Sequence, residues 1–313
     1  MAHPSNQYSV GGVSYPRPFK IRRLGHFGFN VADISAGIDF YGRLLGFRIT
    51  DERDLSKIPG REEVAKKLAD PRIVFMSNGA DHHAFLLAHK TLGAIFGDDA
   101  VSKDITVNQI TWQVGSMDEV FHAADYFRDR DVEIRRVGRD MPGSNWHTYI
   151  RDPDGHTVEL YYGMEQIGWN SRSKPVEMYY RGFREAPALP QISEAEEIRD
   201  ALSKGIDIHS GYAVRDIGEG DHVVEGVRLK RPFKITNIGP MSLFVADVGA
   251  STDFYTEVMG FTVTETVTWR GHRCVFLRNG AEHHSLSLMP KALRAELGLN
   301  PDTSVASMGM QVG

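Results

Sequence analysis

The stretch LGHFGFNVADISAGIDFYGRLLGFRIT, Leu24 to Thr50, decides how the rest of the chain is read. It returns almost unchanged as IGPMSLFVADVGASTDFYTEVMGFTVT, Ile238 to Thr264. The two copies share V-A-D, D-F-Y, G-F and a closing threonine, but His26 has become Pro240, at an offset of 214 residues. R-P-F-K-I at Arg17–Ile21 recurs at Arg231–Ile235 with the same offset. A second block, VFMSNGADHHAFLL from Val74, reappears as VFLRNGAEHHSLSL from Val275 at an offset of 201. The first copy therefore carries 13 extra residues in DERDLSKIPGREEVAKKLADP, a polar insert expected to form a surface loop or short helix. Repetition over this length marks a duplicated folding unit.

Each copy reads as strand, helix, then three strands. RRLGHFGFNV alternates as a strand does, and Ile34, Ile38, Tyr41 and Leu45 follow at helical spacing up to the stop at Gly46. FRITDE, RIVFMSNG and HHAFLLAH are strands parted by polar turns. The next segment has the same order: NQITWQVG, the helical SMDEVFHAADYFRDR, then VEIRRVG, NWHTYIRD and HTVELYYG. Ser116, with Glu119 three residues later, predicts a capping box. The expected organisation is an N-terminal arm over 1–19 and a first domain over 20–163, with βαβββ modules at 20–90 and 105–163. A connector follows over 164–230, with a short helix at SEAEEIRDALSKG, and then a second domain over 231–313. That last domain holds a third module and the opening strand of a fourth, TSVASMGMQVG; a helix and three strands are expected to complete it beyond Gly313.

Composition excludes several classes. A length of 313 residues allows two domains. A net charge of −5 without a Lys/Arg cluster leaves no footprint for nucleic acid. No apolar run nears the ~20 residues of a membrane helix, and MAHPSNQYSVGG lacks the apolar core of a signal peptide. Cys274 is the single cysteine, so no intrachain disulfide can form, and a cytoplasmic location is expected. Homo-oligomerisation is compatible with the sequence.

Strand alternation sorts the faces. His26, Gly28 and Asn30 share one, as do Gln109, Thr111 and Gln113, and again Thr157, Glu159 and Tyr161. Each strand thus has an apolar side and a side bearing ligand-type residues. Meeting modules would turn those polar sides into one concave wall, with Thr111 and Asn30 as pocket candidates. His122 is expected on the exposed side of its helix, and His147, alternating with Trp146, at the surface.

Paired βαβββ modules with H-F in the first strand, H-H in the fourth and YIRDPDGHTVELYYG near the end resemble the vicinal oxygen chelate superfamily, most of all its extradiol ring-cleaving dioxygenases. The resemblance implies an α+β fold, with tandem modules pairing into curved, barrel-like mixed sheets and helices on the outside. It implies Fe(II), or else Mn, Zn or Ni, held by His26, Glu159 and Gln109. It makes His83 the acid/base, Tyr149 the donor to a substrate hydroxyl, and an aromatic diol and O2 the reactants. Three departures accompany it. Gln109 stands where a second histidine is usual, Asp140 where another substrate-contacting histidine is usual, and the candidate ligands lie in the N-terminal half. A glyoxalase-like isomerase, lyase or hydrolase, and a metal-free protein binding an aromatic or antibiotic ligand, are the alternatives. The second half, with Pro240 and Ser307 at the ligand positions, is expected to serve as scaffold.

Overall fold

The computed structural model describes residues 7–92, 106–139, 143, 145–168, 170–178 and 190–313. A short hairpin, β1 (Tyr8–Val10) and β2 (Val13–Tyr15), precedes the first module. That module comprises β3 (Arg23–Val31), a helix at Ile34–Ile38 continuing as a π-type turn over Asp39–Leu44, β4 (Arg48–Asp54), β5 (Arg72–Ser77) and β6 (Phe85–His89). The helix opens on Asp33, whose carboxylate accepts from Ala36 N–H, and Gly46 reverses the chain at φ +88°. The second module runs through β7 (Val107–Gln113), the helix Met117–Arg128, β8 (Ile134–Arg139), β9 (Trp146–Arg151) and β10 (Thr157–Tyr162).

The modules join edge to edge in one eight-stranded sheet of order β4-β5-β6-β3-β7-β10-β9-β8. Each first strand lies parallel to its own fourth strand, β3 beside β6 and β7 beside β10, and the modules meet where β3 pairs antiparallel with β7. The sheet is mixed, as expected, and open rather than closed into a barrel. The connector contributes a hairpin, β11 (His222–Val224) and β12 (Val227–Leu229), and the expected helix at Glu194–Ser203, whose Ser193 and Glu196 complete a capping box. The third module repeats the pattern with β13 (Ile235–Val245), the helix Val248–Asp253, β14 (Thr262–Trp269), β15 (His272–Arg278) and β16 (Leu286–Pro290). Here β17 (Val305–Val312) pairs with β13 as β7 does with β3.

One local expectation changes. Ser116 caps its helix by accepting from Glu119 N–H, but the Glu119 carboxylate turns away to accept Lys20 N–H at 2.8 Å, with Arg22 at 3.6 Å. It ties the incoming N-terminal segment to the helix instead of closing a box. The insert after β4 takes the expected short-helix form, with a helical turn at Glu62–Ala65, and is mostly exposed apart from three anchors. Leu55, Ala65 and Leu68 are buried and pack with Phe75, Leu86, Ala88 and Leu92 over one end of the sheet.

The main apolar cluster runs through both halves, from Phe27, Ile110, Trp112 and Leu160 to Leu243, Phe261 and Leu277, with Trp112 and Phe261 rings 4.9 Å apart. Polar contacts converge on the Asp152–Asp154 turn. Tyr255 donates its hydroxyl to Asp152 at 3.0 Å, while Asp154 accepts from Ala246 N–H at 2.8 Å and pairs with Lys291 at 2.7 Å. Tyr255 is fully buried, so deleting only its hydroxyl leaves the packing intact and a buried acceptor short of one donor. Tyr255→Phe is expected to lower the unfolding free energy by about 1–2 kcal/mol; an unchanged urea midpoint would show that this link contributes nothing.

Candidate functional site

Sheet register brings the candidate residues into rows. Across β9, β10 and β7, Tyr149 faces Glu159 and Glu159 faces Thr111; across β7 and β3, Thr111 faces His26. One step along, Asp51, Phe75, Leu86, Gly28 and Gln109 form a second row from β4 through β5, β6 and β3 to β7. Gly28 is required by its neighbours: a methyl there would lie 2.8 Å from Asn108 Cβ and 3.0 Å from Gln109 Cγ.

Glu159 is the centre and is fully buried. Its Oε2 lies 3.1 Å from His26 Nε2 and accepts from Thr111 Oγ1 at 2.9 Å and from the Gln109 amide at 3.1 Å. Its Oε1 accepts from the Asn145 amide at 2.6 Å, with His147 Nδ1 at 3.8 Å. Burial alone would oppose ionisation, but interaction with His26, the nearby His147 and the Thr111 hydrogen bond outweigh it, holding the carboxyl down at about 2.

A cavity of about 180 Å3 opens beside this cluster. His26, His83, Gln109, Asn145, His147 and Tyr149 supply its polar wall; Ile73, Phe75, Leu86 and Leu92 supply an apolar one. Burial, reinforced by His26 and His82, pushes the His83 pKa well below 6.5, so its ring is neutral at neutral pH. Burial and the charge of Glu159 push the Tyr149 phenol well above 10, against the opposing pull of Arg136, whose guanidinium lies 4.6 Å from the ring centre. Tyr149 therefore remains a hydroxyl donor.

Of the residues singled out in the sequence, His26, Glu159, Gln109, Thr111, His83 and Tyr149 come together. Neither pocket candidate is part of the cavity lining: Thr111 donates to Glu159, and the Asn30 amide donates to the Val107 carbonyl and accepts from Asn108, which takes the wall position instead. Asp140 lies outside the described residues. His147 corrects its expected surface position: it is 2% exposed, because β9 is covered on both sides and His147 faces the Glu159 side. His122 is exposed as expected. Asn145 was missed, and its only signal is the position just before a strand that carries the tyrosine.

The donors fit a divalent ion in chemistry and spacing. Two ligands about 2.1 Å from one ion and at right angles to each other stand about 3 Å apart, the separation of His26 Nε2 from Glu159 Oε2; Gln109 presents its amide nitrogen to that oxygen at 3.1 Å, and a turn of the amide would offer its oxygen as a ligand. The set is one imidazole, one carboxylate and one amide. Among the described residues no group of three or more His, Cys, Asp or Glu side chains is disposed to hold a metal ion, so the amide is needed as the third donor. Among the same residues, buried His26 Nδ1 has no hydrogen-bond partner, leaving Glu159 as the contact that orients the ring.

A profile of the Glyoxalase/Bleomycin resistance protein/Dioxygenase superfamily matches residues 23–160 and 237–310, both copies of the repeat and more than half of the chain. The chain belongs to this superfamily. Over 144 residues it is 27% identical to the 3-methylcatechol 2,3-dioxygenase of Pseudomonas putida, covering 46% of this chain and 43% of that relative. The 2,3-dioxygenase LapB from Pseudomonas sp. KL28 shares the fold with a TM-score of 0.51 at 14% identity, over 87% of this chain and 70% of its own. The Mn(II)-bound glyoxalase from Novosphingobium aromaticivorans does so with a TM-score of 0.50 at 14% identity, over 87% and 62%. The chain thus spans less than half of the catechol dioxygenase it matches. Among the described residues, no helix is long and apolar enough to cross a membrane.

The second copy has Pro240 in place of His26 and Ser307 in place of Gln109. At the positions of Gly28, Leu86 and Gln109 it has Ser242, Ser287 and Ser307, whose hydroxyls bond to one another at 2.6 and 2.9 Å. Acid titration tests the first copy's cluster. With a folded pKa of about 2 against an ordinary 4.5, Glu159 contributes stability that is complete above 4.5 and lost as pH falls toward 2. His83, depressed below 6.5, adds a loss that begins as pH falls through 6.5. In metal-free protein, urea midpoints are expected to decline over both ranges, and Glu159→Gln to flatten the lower one; parallel curves for the variant and the parent would contradict this.

Proposed function

We propose that the first half is a metal-dependent active site of the extradiol ring-cleaving type, acting on a single-ring aromatic diol with O2. The observation that carries this reading is the convergence of His26, Gln109 and Glu159 beside a cavity whose wall also bears a neutral His83 and a protonated Tyr149. Sequence similarity to a 3-methylcatechol dioxygenase over 46% of the chain supports it. His26, Glu159 and Gln109 are the residues that hold the ion, Fe(II) by preference and Mn, Zn or Ni as substitutes. Bound there, the ion supplies Lewis acidity toward the diol and, as Fe(II), the redox chemistry that O2 requires.

The chain's own groups do the rest. A cavity of about 180 Å3 is smaller than the about 300–1,000 Å3 of sites for drug-sized ligands, and so suits one ring with small substituents. Phe75, Leu86, Ile73 and Leu92 receive the ring and exclude water. Leu86 also leaves the fourth strand of the module without a ligand-type residue on the cavity wall. His83, neutral at pH 7, takes a proton from one diol hydroxyl. Tyr149 donates to the other substrate oxygen and stays protonated while doing so. Both atoms of O2 enter the ring-opened acid, so no separate reductant is needed.

Anaerobically iron-loaded protein, mixed with air-saturated catechol or 3-methylcatechol, is expected to give a yellow ring-opened product with one O2 consumed per diol. His83→Ala is expected to cut kcat by about 10²–10⁴-fold, and Glu159→Ala to lose both bound iron and turnover. Iron binding without O2 uptake on any single-ring diol would reject the reading. Gln109 favours a second reading, a non-oxidative glyoxalase-like isomerase, lyase or hydrolase, since a neutral amide binds Fe(II) less firmly than imidazole does. Zinc, nickel or manganese rather than iron in protein purified without chelator would select it. Ligand binding indifferent to chelators and to His26→Ala would select a metal-free binding protein.

A further inference from the structure

Both copies of the repeat carry a three-residue chain of contacts that the ligand set does not use. In the first, Asp51 Oδ2 lies 3.2 Å from His82 Nε2, and His82 Nδ1 lies 3.0 Å from His83 Nδ1. In the second, Glu265 Oε2 lies 3.1 Å from His283 Nε2, and His283 Nδ1 lies 2.9 Å from His284 Nδ1. The same atoms meet in both, although Asp51, His82 and His83 are buried and Glu265 and His283 are exposed. A β-bulge precedes each carboxylate, between Ile49 and Asp51 in one copy and between Val263 and Glu265 in the other. Bulges re-aim side chains, and here each turns a carboxylate on β4 or β14 toward the histidine pair at the start of the fourth strand.

With His82 neutral, the hydrogen bonds of the first copy determine which nitrogen carries each proton. Asp51 Oδ2 also accepts from Arg53 at 2.8 Å, and Oδ1 accepts from Glu52 N–H at 2.7 Å, so the carboxylate is an acceptor on both oxygens. His82 must then donate from Nε2. In a neutral His82 ring, Nδ1 is left as an acceptor, and His83 must donate to it from its own Nδ1. The remaining nitrogen of His83, Nε2, then holds a lone pair on a ring that lines the cavity. The His82 backbone is pinned as well, its N–H to the Glu165 carbonyl at 2.8 Å and its carbonyl to the Thr50 hydroxyl.

We propose that Asp51 and His82 are positioning residues that fix the Nδ1–H tautomer of His83 and hold its Nε2 lone pair toward the cavity. The proposal rests on the ring-cleavage reading only for what that lone pair does. The opposite arrangement, with His82 protonated on both nitrogens, would place the His83 proton on Nε2 and remove the acceptor.

Long-range 1H–15N spectra of metal-free protein labelled on histidine nitrogen distinguish these states, with His83→Asn assigning the signal. The expected result is an Nδ1–H tautomer for His83 in the parent protein. Asp51→Glu should keep it, since Glu265 makes the same reach in the second copy, and Asp51→Asn should move it toward Nε2–H. An Nε2–H tautomer in the parent, or an unmoved tautomer in folded Asp51→Asn, would overturn the proposal; should Asp51→Asn fail to fold, the parent and Asp51→Glu spectra decide. In iron-loaded protein, Asp51→Asn is expected to lower kcat on the order of 10²-fold with little change in KM, and a change confined to KM would count against positioning. The spectra need neither metal nor turnover, so an inactive parent protein would reject the ring-cleavage reading and leave this one standing.

Discussion

A negative charge sealed inside a sheet must be met by donors, by a cation or by a proton, and the first half of this chain is arranged around that demand at Glu159. No solvent reaches it, and its neighbours from four other positions, His26, Thr111, Gln109 and Asn145, all turn toward it. The eight-stranded sheet makes this possible because β3, β7, β10 and β9 lie side by side with their rows in register. An apolar residue at position 159 would make the Thr111 and Asn145 contacts purposeless, and the pocket wall would have no reason to be polar.

Duplication shows which parts of the unit the two halves share. The helix with its π-type continuation, the bulge before the carboxylate and the paired histidines recur in both halves. The donor residues do not. Pro240 stands in place of His26 and Ser307 in place of Gln109, and Ser307 and Ser287 both close on Ser242. The second half instead packs Phe261 on Trp112 and donates Tyr255 to Asp152, so its contribution to the site is to hold the sheet that bears it.

Much of this was legible in the sequence, and for definable reasons. Strand alternation assigns a side chain to a face, so His26, Glu159 and the pair Gln109 and Thr111 are each legible on the polar side of their strand, and the family resemblance joins His26, Gln109 and Glu159. Alternation cannot say how deep a face lies, which is why His147 was expected at the surface. It also fails outside strands: Asn145 precedes β9, and no periodicity reaches it. Asn30 sits on the right face but too far along β3, where it bonds across to Val107. The Asp51–His82 contact depends on a bulge, and a bulge leaves no mark on hydrophobic pattern. Ser116 and Glu119 matched a capping box, yet a backbone N–H from the N-terminal segment competed successfully for the carboxylate.

The central claim is that Glu159 and His26 share one ion. A crystal of protein soaked anaerobically with Fe(II), measured at the iron absorption edge, tests it most directly. The account predicts one strong anomalous peak within bonding distance of His26 Nε2, Glu159 Oε2 and the Gln109 amide oxygen. A map without a peak between those atoms, with the carboxylate still bound only by Thr111, Gln109 and Asn145, would contradict it.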